Sequence, residues 1–178
     1  MNDDAIIAAT RRWVEKAVIG LNLCPFADGV YRSGRVRFHV SGQRSAAGLL
    51  EELRSELLLL QTVEPRQCET TLLIHPRVLN DFVEFNDFLQ ICDATVLELG
   101  LEGEIQVASF HPHYQFAGTA PDDIENHTNR SPYPVLHLLR EASVERALAG
   151  VADPASIYQD NIRRLRALGA EGWAALWR

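Results

Sequence analysis

The chain has 178 residues, 47% hydrophobic and 23% charged, the profile of one soluble domain with a substantial core. Its formal charge of -7 argues against a nucleic-acid backbone or an anionic membrane surface as the main partner, because both call for a net basic face. Three widely spaced cysteines, Cys24, Cys68 and Cys92, form no CxxC, so neither a disulfide framework nor a zinc ribbon is indicated and a reducing cytoplasm is expected.

The first residues, MNDDAIIAATRRWVEKAVIG, open with two acids and hold no long apolar run, so neither a signal peptide nor a membrane span is expected. Asp3 or Asp4 can cap a helix whose stripe of Ile6, Ala9, Trp13 and Ala17 recurs at three- and four-residue steps and ends near Gly20. Pro25, Gly29 and Gly34 break the period over residues 21–34, which reads as a loop that leaves Cys24 a chance of exposure. Residues 35–40, RVRFHV, alternate as a strand. A leucine-rich helix follows from about Ala46 to Gln61.

Residues 70–75, TTLLIH, form a short apolar run without alternation, as in a strand covered on both faces, and Pro76 stops it. Asn80 or Asp81 opens a helix carrying Phe82, Phe85, Phe88 and Cys92 inward, closed near Gly100. Residues 104–110, EIQVASF, alternate as a third strand that delivers the chain to His111. After a loop of about twenty residues, a length typical of binding loops and lids, Pro132 and Pro134 introduce a helix through Leu136, Leu138 and Leu139. Asp153-Pro154 signals another helix that Gly169 ends, and Trp173, Leu176 and Trp177 suit a last short one. The expected architecture is α/β: one domain over residues 1–178, with a small, mainly parallel three-stranded sheet packed by helices in the order α-β-α-β-α-β-α-α.

The strings LNLCPFA, SFHPHYQFAG and NRSPYPVLHLLRE together resemble a bacterial family described only as a domain of unknown function, nearly end to end. The resemblance implies a small cytoplasmic bacterial protein and brings no activity, cofactor or catalytic residue with it.

Chemistry concentrates between Ser109 and Glu141, which hold four of the six histidines. His111 and His113 share one side if strand geometry persists, and with His137 and Glu141, four apart on the expected helix, they compose a candidate metal or acid–base set, although the spacing follows no zinc pattern. The bland alternative is that these histidines bond loop carbonyls and that His137 and Glu141 form an ordinary helix pair. Asn129, Arg130 and Ser131 precede a helix start, where an anion can bind, or they merely shape a turn and a cap. Cys24 is a candidate nucleophile if a histidine meets it in space, and otherwise a small hydrophobe.

The resulting expectation is a site at the end of the third strand. His111, His113, His137, Glu141 and Cys24 are its catalytic candidates, and Tyr114, Asn129, Arg130, Ser131 and Arg140 its ligand-binding ones. A hydrolase or transferase acting on a small anionic molecule fits these groups, and a non-catalytic ligand or protein binding module fits them too. No GxGxxG, flavin-type or Walker signature is present, so no cofactor is named, and the oligomeric state is open.

Overall fold

The structure, a computed structural model, describes residues 2–149 and 156–178. Its first helix, α1 (Asp3–Trp13), is capped by Asn2, whose side chain accepts from the Asp4 N–H, rather than by Asp3 or Asp4. The helix continues into a π-helical turn (Val14–Ile19) that widens the ladder before Gly20. A Cβ on Gly20 would stand 2.4 Å from the Lys16 carbonyl oxygen, so only glycine closes this turn. The residues expected as loop contain a short helix, α2 (Ala27–Arg32).

Four strands and two long helices then form the body: β1 (Val36–Val40), α3 (Ala46–Thr62), β2 (Thr70–Ile74), α4 (Phe82–Glu98), β3 (Ile105–Phe110) and β4 (Val135–Arg140). Ser45 caps α3 through the Gly48 N–H, and Asp81 caps α4 through Val83 and Glu84. A 3₁₀ turn (Ile124–Thr128) interrupts the long loop before β4, while α5 (Glu141–Leu148) and α6 (Ser156–Ala175) complete the chain. Gly169, at φ 67, breaks α6 where the sequence places a helix end. The Asp153-Pro154 cap lies outside the described residues.

The sheet corrects the three-stranded, mainly parallel expectation. It has four strands in the order β1-β2-β4-β3, with β1 parallel to β2 and β4 antiparallel to both its neighbours. The helix expected after Pro132 and Pro134 is therefore β4, a central strand. Its residues alternate between two buried faces, Leu136 and Leu138 toward α3 and α4, Val135, His137 and Leu139 toward α1. With apolar groups on both sides, the run carries no polar alternation that would mark it as a strand. Pro134 falls just before it, where the missing N–H costs no ladder bond, and its carbonyl accepts from the His75 N–H at 3.0 Å.

Two apolar layers sandwich this sheet. On one side Leu49, Leu53, Leu57 and Leu60 of α3 meet Phe85, Phe88 and Cys92 of α4; on the other Ile6, Trp13, Val14 and Ala17 cover Leu72, Ile74 and Val135. Among the described residues, no helix is long and apolar enough to cross a membrane.

Candidate functional site

The loop that the sequence singles out is bonded to itself. His111 is 0% exposed and its ring packs 5.1 Å from that of Phe85 and 5.4 Å from that of Phe82, in the layer beside α4. Its Nδ1 accepts from the His113 N–H at 3.0 Å, so the ring proton sits on Nε2 and points to the Leu79 carbonyl at 3.3 Å. Burial pushes its pKa down. His113 is exposed, and the Tyr114 ring lies between those of Phe82 and Phe116.

Arg130 clamps the loop from within, donating from Nε to the Tyr114 carbonyl at 3.0 Å and from Nη2 to the Pro121 carbonyl at 2.6 Å. Asn129 donates to the Ser109 carbonyl and Ser131 to the Tyr133 carbonyl. Asn126, fully buried, accepts from Phe116 and Thr119 and donates to Ala120. These are bonds that hold a loop together, and they occupy the groups expected to grip a ligand.

The expected convergence with His137 also fails. His111 faces the α4 layer, whereas His137 projects from β4 to the opposite face of the sheet. His137 and Glu141 are not neighbours on a helix, since one is mid-strand and the other is the first residue of α5. Among the described residues no group of three His, Cys, Asp or Glu side chains could hold a metal ion.

Three of the expected residues do meet elsewhere. Cys24, His137 and Arg140 line a cleft of about 760 Å³ on the α1 face of the sheet, within the range of about 300–1,000 Å³ usual for small-molecule sites. Its floor is Val36, Thr70, Leu72, Leu139, Ala108 and Gln106. Trp13, Val14 and Val18 of α1 and the π turn form one wall, Phe26 at the N-cap of α2 with Val30 and Tyr31 of that helix another, and Ser143, Val144 and Ala147 of α5 a third. The cleft lies toward the N-terminal ends of β1 and β2, not beyond the C-terminal end of β3 where the sequence pointed.

Charge on this cleft is one-sided. Arg35, Arg66, Arg140 and Arg146 line it, and among the described residues the one acidic side chain lining it with them is Glu69. Glu69 is 5% exposed and fixes two of the arginines, accepting from Arg35 Nη1 at 2.6 Å and Arg146 Nη2 at 3.1 Å, with Ser143 donating as well. Arg140 donates to the carbonyls of Val63 and Cys68. Neither it nor Arg66 has a carboxylate partner among the described residues.

Polar chemistry on the floor centres on Thr70 and His137. The Thr70 hydroxyl donates to the Leu138 carbonyl at 2.6 Å and meets His137 Nε2 at 2.7 Å. Burial pushes the His137 pKa down to about 4, so the ring is neutral near pH 7. Cys24 is less suited to attack than its position suggests, because burial raises its thiol pKa and favours the protonated form.

These features define an α/β fold with a ligand-sized cleft roofed by its N-terminal helices and α5. Residues 5–175 match the family described as Protein of unknown function (DUF1415), and the chain belongs to that family. No curated protein and no solved structure matches.

Thr70, Glu69, Arg35 and Arg146 are absent from the sequence expectation. The available signal was Glu69-Thr70 at the start of a strand covered on both faces, where polar side chains require partners. No local motif ties them to Arg146, 77 positions away from Glu69.

Proposed function

We propose that the protein binds a small amphipathic anion in this cleft, with the apolar body of the ligand against Trp13, Phe26 and Leu139 and its charged group among Arg35, Arg66, Arg140 and Arg146. The observation that carries this reading is the excess of four arginines over one glutamate around a largely apolar cleft, in a chain whose formal charge is -7. A net positive charge beside low-dielectric walls favours an anion at that point. Arginine also suits carboxylate and phosphate, which it can grip with two parallel bonds.

Binding fits the groups better than hydrolysis or transfer. A histidine with a pKa of about 4 is a weak base at neutral pH, and a thiol with a raised pKa is a weak nucleophile. Thermal-shift titration of the purified chain with decanoate, decyl phosphate, decanol and decylamine tests the reading. The two anions should raise the melting temperature and the others should not, with the Arg66→Ala/Arg146→Ala variant weakened about tenfold or more toward both anions. Equal responses to decanol and decanoate, or none to any probe, would reject it.

A further inference from the structure

Within the cleft, the hydroxyl of Thr70 and the ring of His137 fix one another's protons. A threonine hydroxyl has a single hydrogen, and Thr70 spends it on the Leu138 carbonyl at 2.6 Å. The 2.7 Å contact with His137 Nε2 must therefore use a proton supplied by the imidazole, so the neutral ring is protonated on Nε2. Its Nδ1 is then a bare acceptor, and the Thr70 contact is the one hydrogen bond of this ring among the described residues.

The surroundings offer Nδ1 little to bond. His137 pairs in register with Leu72 on one side and Ala108 on the other, and the Phe110 ring lies 6.0 Å away. An apolar ligand pushed over this nitrogen would strip its solvation and return nothing, whereas a donor would satisfy it.

We propose that the ligand is bifunctional, carrying a hydroxyl group that donates to His137 Nδ1 and, at its other end, the anionic group held by the arginines. This deepens the proposed function and rests on it. The ligand class is a hydroxylated carboxylate or phosphate with an apolar spacer, distinct from a plain fatty acid or an aryl acid without a donor. The low basicity of His137 serves the same end, since an imidazolium would present a second donor there.

Matched probes separate this claim from the one beneath it. Calorimetric titration of the full chain with ω-hydroxydecanoate, ω-methoxydecanoate and decanoate should rank the hydroxy acid first, by roughly tenfold to hundredfold over each of the others. The methoxy acid is the control, being polar at the same position without a proton to give. His137→Leu should erase the preference, the affinities for the hydroxy acid and for decanoate converging, and Thr70→Val, which frees the ring to change tautomer, should reduce it. In the native chain, the nitrogen resonance of His137 Nδ1 should move on adding the hydroxy acid and not on adding the methoxy acid, a readout that needs no variant. Equal affinities for the three acids, or tighter binding of decanoate, would overturn the hydroxyl claim and leave anion binding standing; failure of all three to bind would remove both.

Discussion

The side-chain amide of Asn161, on α6, donates to the carbonyl of Leu23 at 2.8 Å, joining residues 138 positions apart. Beside it Arg164 Nη1 donates to the Asn22 carbonyl at 2.9 Å, where the backbone has φ 51. Together they anchor the turn that leads into Cys24 and the α2 wall of the cleft.

Asn161 is 4% exposed, so Asn161→Ala leaves a buried carbonyl without its donor. A loss of about 1–3 kcal/mol is expected in urea unfolding. Amide exchange should quicken over residues 22–32 more than over β2. Uniform acceleration across the chain would argue against a local tether.

Arg130→Ala removes both bonds that clamp the long loop, and His111→Ala removes a ring packed on Phe82 and Phe85. Each should lower stability by about 1–4 kcal/mol. Neither should alter the affinity of the cleft for decanoate. A selective loss of ligand response at unchanged stability would restore the loop as the binding site.

Acid should destabilise the fold through its buried histidines. Burial holds His75, His127 and His137 at a pKa of about 4, against 6.5 for an ordinary imidazole. Between those values the unfolded chain takes up protons that the folded chain refuses. Stability should thus be intact above about pH 6.5, fall as pH drops toward about 4, and lose no more through these groups below that. His75, 0% exposed and stacked on Phe85, contributes up to about 1.4 kcal/mol per pH unit in this window. In urea titrations from pH 7 to 4.5, a His75→Leu variant should show a shallower decline; an unchanged slope would count against the assignment.

Cys24 should alkylate slowly. At neutral pH its reaction with iodoacetamide should lag behind free glutathione, because burial keeps the thiol protonated. Decanoate bound in the cleft should slow it further. A Cys24 faster than glutathione would revive nucleophilic catalysis.

Much of the scaffold is legible in the sequence, and the reasons are local. Capping at Asp81, the leucine stripe of α3, the alternation of β1 and β3 and the stop at Gly169 each depend on a few neighbouring residues. β4 was hidden because Pro134 followed by Leu136, Leu138 and Leu139 satisfies a helix start as well as a strand buried on both faces. Cys24, His137 and Arg140 stand out in the sequence by residue type, yet their common cleft depends on residues from Trp13 to Ala147 that only the tertiary fold assembles. The histidine-rich loop holds the same residue types, and there His111 and Arg130 bond backbone carbonyls.

The placement of β4 has a consequence for biosynthesis. In the sheet β3 pairs with β4 alone, and β4 fills the gap between β2 and β3. A nascent polypeptide can unite β1 with β2 early, but β3 must wait, its edge unsatisfied, until residue 140 has cleared the ribosome. Chaperone engagement would be concentrated in that interval, because an unpaired apolar strand is the species most prone to aggregate.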